Sequence, residues 1–282
     1  MKYLRSYVLL LLALAILLWL SPPHTVDPWG MFNPQKIIQL LFALTILQIL
    51  GSVLISLFKG KVGGLAFGFF GGLISSTALT AFVAKQSQDA DEDVIRLLSL
   101  AFLSALLGTI LESAVLVLVG LTEIHWEIFL VFSGSIIVTP ILMMMRLRSL
   151  RHIEFEDGDF LTVHPRSIIK LGLLIAVFLA LSKLLQILNG LSGQFLLTFV
   201  ICLFELQGSI IGNVQLHESQ ILNIANLGHL IAVGILASYL AKWGLVLFLG
   251  SPGFKRRASK YVAILIGAHL LGWGLFTMVS QY

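Results

Sequence analysis

Nine apolar stretches separated by short polar ones set the frame of this chain: roughly Val8–Leu20, Ile37–Phe58, Val62–Ala84, Ile95–Val119, Ile128–Met145, Ile168–Leu188, Phe195–Val214, Ile221–Leu249 and Tyr261–Val279. Runs of about 20 apolar residues match the hydrocarbon thickness of a bilayer, so the pattern predicts membrane helices. Two of the nine are broken by their own composition. The stretch from Val62 carries Gly63, Gly64, Gly68, Gly71 and Gly72 ahead of Ser75, Ser76, Thr77 and Thr80, while Phe195–Val214 carries Glu205, Gln207 and Gly208. Gly weakens a helix, and Ser after a glycine pair is a good cap for a new one starting at about Ser75. Irregular backbone at membrane depth survives only where protein or a water-filled cavity covers its polar groups. Gly71–Thr80 therefore reads as a re-entrant hairpin or broken helix lining a solute site. Its other reading is a continuous helix whose small residues pack on neighbours.

The one substantial polar stretch runs from Arg146 to Arg166, and its alternation around Asp157-Gly158 predicts a β-hairpin outside the membrane. The domain organisation that follows is an N-terminal helix and connector (1–35), a first repeat (36–146), a cytoplasmic β-hairpin linker (147–165) and a second repeat (166–282). The N-terminal run resembles a signal-peptide core but has no small-residue cleavage site before Ser21-Pro22-Pro23, so a retained helix is expected.

Composition narrows the class. A chain that is 58% hydrophobic and only 11% charged is an all-α integral membrane protein rather than a soluble domain. The net charge of +4 does not point to nucleic acid, because the Lys and Arg residues cluster at segment ends, where they report orientation. With Cys202 alone, neither a disulfide framework nor a cysteine metal site is available. No HExxH, GxSxG or phosphate-binding loop occurs, so neither an enzyme nor a cofactor is expected, and Ser75 with His229 as a hydrolase would rest on composition alone.

Charge placement then discriminates between topologies. If all nine stretches crossed, the loop with Arg146, Arg148, Arg151 and Arg166 would lie opposite Lys255, Arg256, Arg257 and Lys260, against the positive-inside rule. If the two broken stretches dip in and return, every basic cluster faces the cytoplasm, as does the N-terminus, which suits a multi-pass protein of a bacterial cytoplasmic membrane. Each half then has three crossings and one re-entrant segment, and an odd number of crossings makes the repeats inverted. A shift of 130 positions supports the duplication: it places Gly60 on Gly190, Gly63 on Gly193, Gly120 on Gly250 and Ser75 on Glu205. Paired interruptions at corresponding positions are the sequence pointer to a transporter site.

The candidate ligands are Ser75, Ser76 and Thr77 from the first interruption and Glu205, Gln207 and Asn213 from the second. Oxygen donors suit hard cations or a proton, whereas helix N-termini favour anions, so the sign of the solute is open. Glu112 and Lys242 are ionisable residues inside apolar helices, each eight positions before a glycine, and are expected to pair or to face one cavity. For Lys242 the competing reading is snorkelling to the surface beside Trp243. His229 reads as a packing histidine, with a proton relay as the alternative. Asp89, Asp91, Glu92 and Asp93 read as a solvated loop, lacking the glycine and terminal Glu of a calcium loop.

Over nearly its whole length the chain resembles a bacterial family of polytopic membrane proteins of unknown function, often fused behind an MgtC/SapB-type membrane domain. The resemblance is carried by Asp27-Pro28-Trp29-Gly30 with Asn33-Pro34, by Gly71-Gly72-Leu73-Ile74-Ser75-Ser76-Thr77-Ala78, and by Ala241-Lys242 through Gly250 to Arg257. The family's second motif has two aspartates; Cys202-Leu203-Phe204-Glu205-Leu206-Gln207-Gly208 keeps one carboxylate and replaces the other by Gln207. The resemblance implies paired motifs without naming a substrate. The expectation is a transporter-like protein that moves an ion or small solute in the lipid bilayer, with self-association of the chain left open. A non-transporting protein that docks or regulates a partner through its helices and the 146–166 stretch is the alternative.

Overall fold

The computed structural model describes residues 4–57, 64–147, 163 and 165–280. The expected β-hairpin linker lies outside the described residues, and among those described the regular structure is helical throughout. The helices are α1 (Leu4–Leu20), α2 (Pro34–Leu57), α3 (Gly64–Gln86), α4 (Glu92–Gly120), α5 (Leu130–Leu147), α6 (Pro165–Cys202), α7 (Leu206–Glu218), α8 (Ile224–Leu249) and α9 (Pro252–Val279). Seven helical stretches are long and apolar enough to cross a membrane, and the chain is a polytopic membrane protein.

Caps set several of these starts. Asp91 accepts from the Val94 N–H at 2.8 Å and Asn223 from the Asn226 N–H at 2.8 Å, opening α4 and α8. Asp89, Asp91, Glu92 and Asp93 are exposed, as expected of a solvated stretch, but Asp91 is held in a cap and Glu92 and Asp93 are in the first turn of α4. The last helix begins at Pro252, nine positions before the expected Tyr261, because Ser251 caps it and Pro252 fits its first turn. Lys255 to Lys260 are consequently helical; the cap-and-proline signal outweighs their polarity.

The centre of the packing is α4, whose Leu98, Phe102, Leu106 and Ile110 are buried. The glycine stretch is a broken helix rather than a continuous one, and its small residues also pack on a neighbour. A Cβ on Gly68 would stand 2.1 Å from the Ala101 carbonyl oxygen, and one on Gly72 2.6 Å from the Ala105 Cα, so the glycines let α3 lie directly on the α4 backbone. At Ser75 the backbone leaves the helix (φ −165°, ψ 95°). The Phe67 and Phe82 rings then sit 6.0 Å apart. Fifteen residues of straight helix would rise about 22 Å. α3 is therefore a hairpin whose two helical arms meet at Ser75.

The direction of its first arm confirms the fold-back. Gly68 meets Ala101 and Gly72 meets Ala105, so this arm runs parallel to α4, although the link between α3 and α4 is only the short turn Ser87–Asp89. The Ser104 hydroxyl, donating to the Leu65 carbonyl at 2.6 Å, lies on the same interface.

A second hairpin has the same build. α6 bends at Gly190 (φ 58°, ψ −140°), a conformation that glycine alone adopts at ease. The chain breaks again at Glu205 (φ −148°, ψ 103°) and returns as α7. Asn213 donates to the Thr198 hydroxyl at 3.1 Å, again across fifteen positions.

The hairpins approach from opposite ends of α4. The first closes beside the start of α4 and is fastened to the α8–α9 corner, where the Ser251 N–H donates to the Ser87 hydroxyl at 2.9 Å and Gln88 donates to the Leu249 carbonyl at 2.7 Å. The second ends at Glu218, which accepts from the Thr122 N–H at 3.0 Å just beyond the end of α4. Lys36 pairs with Glu218 at 3.2 Å and completes that fastening.

Candidate functional site

The two hairpin tips line one cavity of about 480 Å³. Ser75, Ser76 and Thr77 reach it from the turn of α3, and Cys202, Glu205 and Gln207 from the turn between α6 and α7. Ser238 and Lys242 of α8 form a third wall, Gln48 of α2 a fourth, and Ser167 and Lys170 in the opening turns of α6 stand at the mouth. Its volume is within the range of small-molecule sites, and Ile74, Leu171, Leu174 and Leu206 give it an apolar side.

The local sequence explains why these tips are where they are. Ser75 sits at the start of the returning arm and accepts from the Ala78 N–H at 3.3 Å, which is an N-cap built inside an apolar run. Glu205 occupies the same place before α7 without capping it. Helix N-termini carry partial positive charge, and two of them, at positions 76 and 206, open onto this cavity.

Of the eight residues singled out from sequence, six line the cavity: Ser75, Ser76, Thr77, Glu205, Gln207 and Lys242. Lys242 is buried at 3% exposure, which rules out snorkelling. Its ammonium donates to the Ser238 hydroxyl and reaches no carboxylate within 4.0 Å. Glu112 is buried and stands behind the cavity wall, where one carboxylate oxygen accepts from the Gln207 amide at 2.6 Å and the other has no hydrogen-bond partner. Glu112 and Lys242, expected to pair or to face one cavity, do neither: Glu112 holds Gln207, and Lys242 holds Ser238.

Asn213 is not at the cavity. It accepts from Gln194 at 2.9 Å and donates to Thr198 and Ser209, clamping the arms of the second hairpin together. His229 accepts from the Trp273 indole N–H at 2.9 Å, a packing role. Sequence reasoning missed Ser238, Gln48 and Lys170. Ser238 was findable, since it lies one helical turn before Lys242 and so shares its face. No cluster of three or more His, Cys, Asp or Glu suited to a metal ion occurs among the described residues.

No curated protein and no solved structure matches the chain significantly. Residues 43–250 match the family described as a domain of unknown function, DUF4010, a span that takes in both hairpins and every residue lining the cavity. On that match, which covers well over half of its length, the chain belongs to the DUF4010 family.

Proposed function

We propose that this protein is a transporter built from two inverted repeats, which carries a small solute or ion through the cavity between its hairpin tips. The observation that carries the reading is that two chain breaks 130 positions apart, at Ser75 and Glu205, line the same cavity. Paired discontinuous helices meeting in the middle of a membrane bundle are a recurring way to bind a solute there. The duplication is supported by backbone as well as spacing, since Ser75 and Glu205 have nearly the same φ and ψ. The fastenings at the hairpin ends support it too: Gln88 and Glu218 are also 130 positions apart, and each bonds to the corner that follows the long helix of the other half. In this reading the hairpins enter from opposite membrane faces, and the basic clusters put the mouth at Ser167 and Lys170 toward the cytoplasm. The Lys36–Glu218–Thr122 cluster closes the far side.

The test works without choosing a solute in advance. Proteoliposomes carrying the wild-type protein are incubated in a bacterial metabolite and salt extract, and their contents are compared by mass spectrometry and elemental analysis with those of empty vesicles. The expected result is enrichment of at least one solute, lost in Glu205→Ala and Ser75→Ala proteins that still elute as single species from a sizing column. Vesicles of unchanged content, or variants that accumulate the solute like wild type, would overturn the proposal and favour a docking or regulatory protein.

A further inference from the structure

We infer that the solute of this cavity is a zwitterion, specifically an apolar α-amino acid whose carboxylate meets Lys242 and whose ammonium meets Glu205. The inference rests on the reading of the cavity as a solute site and adds the class of solute. Lys242 and Glu205 line the same cavity, yet no ion pair within 4.0 Å joins them. Charges taken out of bulk water lose much of their solvation, and an opposite pair that closes on itself recovers part of it. Here they do not close on each other: the Lys242 ammonium donates to the Ser238 hydroxyl, and Glu205 lines the cavity from the turn before α7. A ligand with both signs placed at its own two ends fills that gap and leaves neither charge alone.

A ligand of one sign fits less well. A carboxylate without an ammonium would satisfy Lys242 and the nearby N-terminus of α7 but would face Glu205 with like charge. An amine would satisfy Glu205 and be repelled by Lys242. Glu112 is outside the lining, with one oxygen accepting from Gln207 and the other without a hydrogen-bond partner, so it does not meet the solute directly. Lys170 is exposed at the mouth, where solvent screens it. The apolar wall of Ile74, Leu171 and Leu206 takes the side chain.

The experiment measures thermal stabilisation of the detergent-purified, full-length protein by L-alanine, L-valine, L-leucine, L-methionine and L-phenylalanine. For L-leucine it adds the two molecules that each lack one charge, 4-methylpentanoate and 3-methylbutylamine. The expected result is a saturable rise in melting temperature with at least one amino acid. The single-charge analogues of L-leucine should bind roughly ten- to a hundredfold more weakly than L-leucine itself, as a lost charged hydrogen bond implies. Glu205→Gln should erase the preference for L-leucine over 4-methylpentanoate, and Lys242→Met the preference over 3-methylbutylamine, a change in selectivity that a structural role would not produce.

Stabilisation by none of the five, or by 4-methylpentanoate or sodium chloride as well as by L-leucine, would overturn the inference. Radiolabelled uptake of the bound amino acid separates the two proposals. Accumulation of some other solute from the extract without amino-acid binding would keep the transport reading and sink the zwitterion. Binding without uptake would do the reverse.

Discussion

The first hairpin is held by apolar contact and the second by hydrogen bonds, although the two share a backbone trajectory. In the first, the Phe67 ring packs at a tilt against Phe82, and Gly68 and Gly72 lie on the α4 backbone. In the second, Gln194, Thr198, Ser209 and Asn213 form a buried amide and hydroxyl clamp between the arms. Their tips differ in the same sense. Ser75 carries a hydroxyl that caps its own helix, whereas Glu205 carries a carboxyl group and has near it Gln207, which reaches across to Glu112. One hairpin is packed closely on α4, and the other carries a carboxyl group and the polar links.

The largest effect that would break this comparison is expected at Gly72. A leucine there has no room against the Ala105 backbone, which cannot yield as a side chain can. Gly72→Leu should cost at or above the upper end of ordinary overpacking, about 3 kcal/mol, and remove the monodisperse fraction in detergent. Gly244→Ala, at a position with open space around it, is the matched control and should leave the profile unchanged.

Next in size is the polar clamp. Asn213→Leu leaves the Gln194 amide buried without its acceptor, which should cost about 1–3 kcal/mol in thermal or denaturant unfolding. Phe82→Leu in the first hairpin keeps the apolar character and should cost less than about 1.5 kcal/mol. Equal costs at the two sites would mean that the arms are not held by different forces.

A smaller effect is expected at the fastening of the second hairpin. Glu218→Gln removes the ion pair with Lys36, which is partly exposed, and should change stability by about 0–1 kcal/mol, less in high salt than in low.

The smallest is a control outside both hairpins. Asp27 in the α1–α2 connector is pushed up by partial burial, but the N–H groups of Phe32, Met31 and Trp29 outweigh this and hold it below its ordinary value of 3.8. A depressed carboxyl stabilises the connector fully above that ordinary value, and the contribution is lost as pH falls from there through the folded value. Pepsin cleavage between α1 and α2 should therefore rise as pH drops below 3.8, with the hairpins uncut.

Much of this architecture was legible because it follows from solvent. Apolar length gave the helices, and the Gly-Gly-Leu-Ile-Ser-Ser run marked a break that the backbone places at Ser75. The 130-position register marked the second at Glu205. What was not legible depends on side chains meeting across space. Gly190 entered only as a match to Gly60, although it stands after Asn189 in the gap between two expected helices, where a positive φ is at home. Asn213 looked like a ligand because it is polar at membrane depth, yet its partners Gln194 and Thr198 lie 19 and 15 positions away on the other arm. Glu112 was expected to pair with Lys242 or to share a cavity with it, and its hydrogen-bond partner is a carboxamide, Gln207.

The seating of the glycine face on α4 has a consequence for how the chain is made. Synthesis runs from the N-terminus, so the Gly64–Gln86 segment leaves the ribosome before the helix it packs against exists. During that interval its bare backbone has no surface to lie on. The second hairpin emerges after α4 is complete, and Gln207 finds Glu112 already waiting. The first half must therefore wait for α4, whereas the second meets α4 at once and waits only for α8, whose Gly234 packs on Cys202 and Leu206.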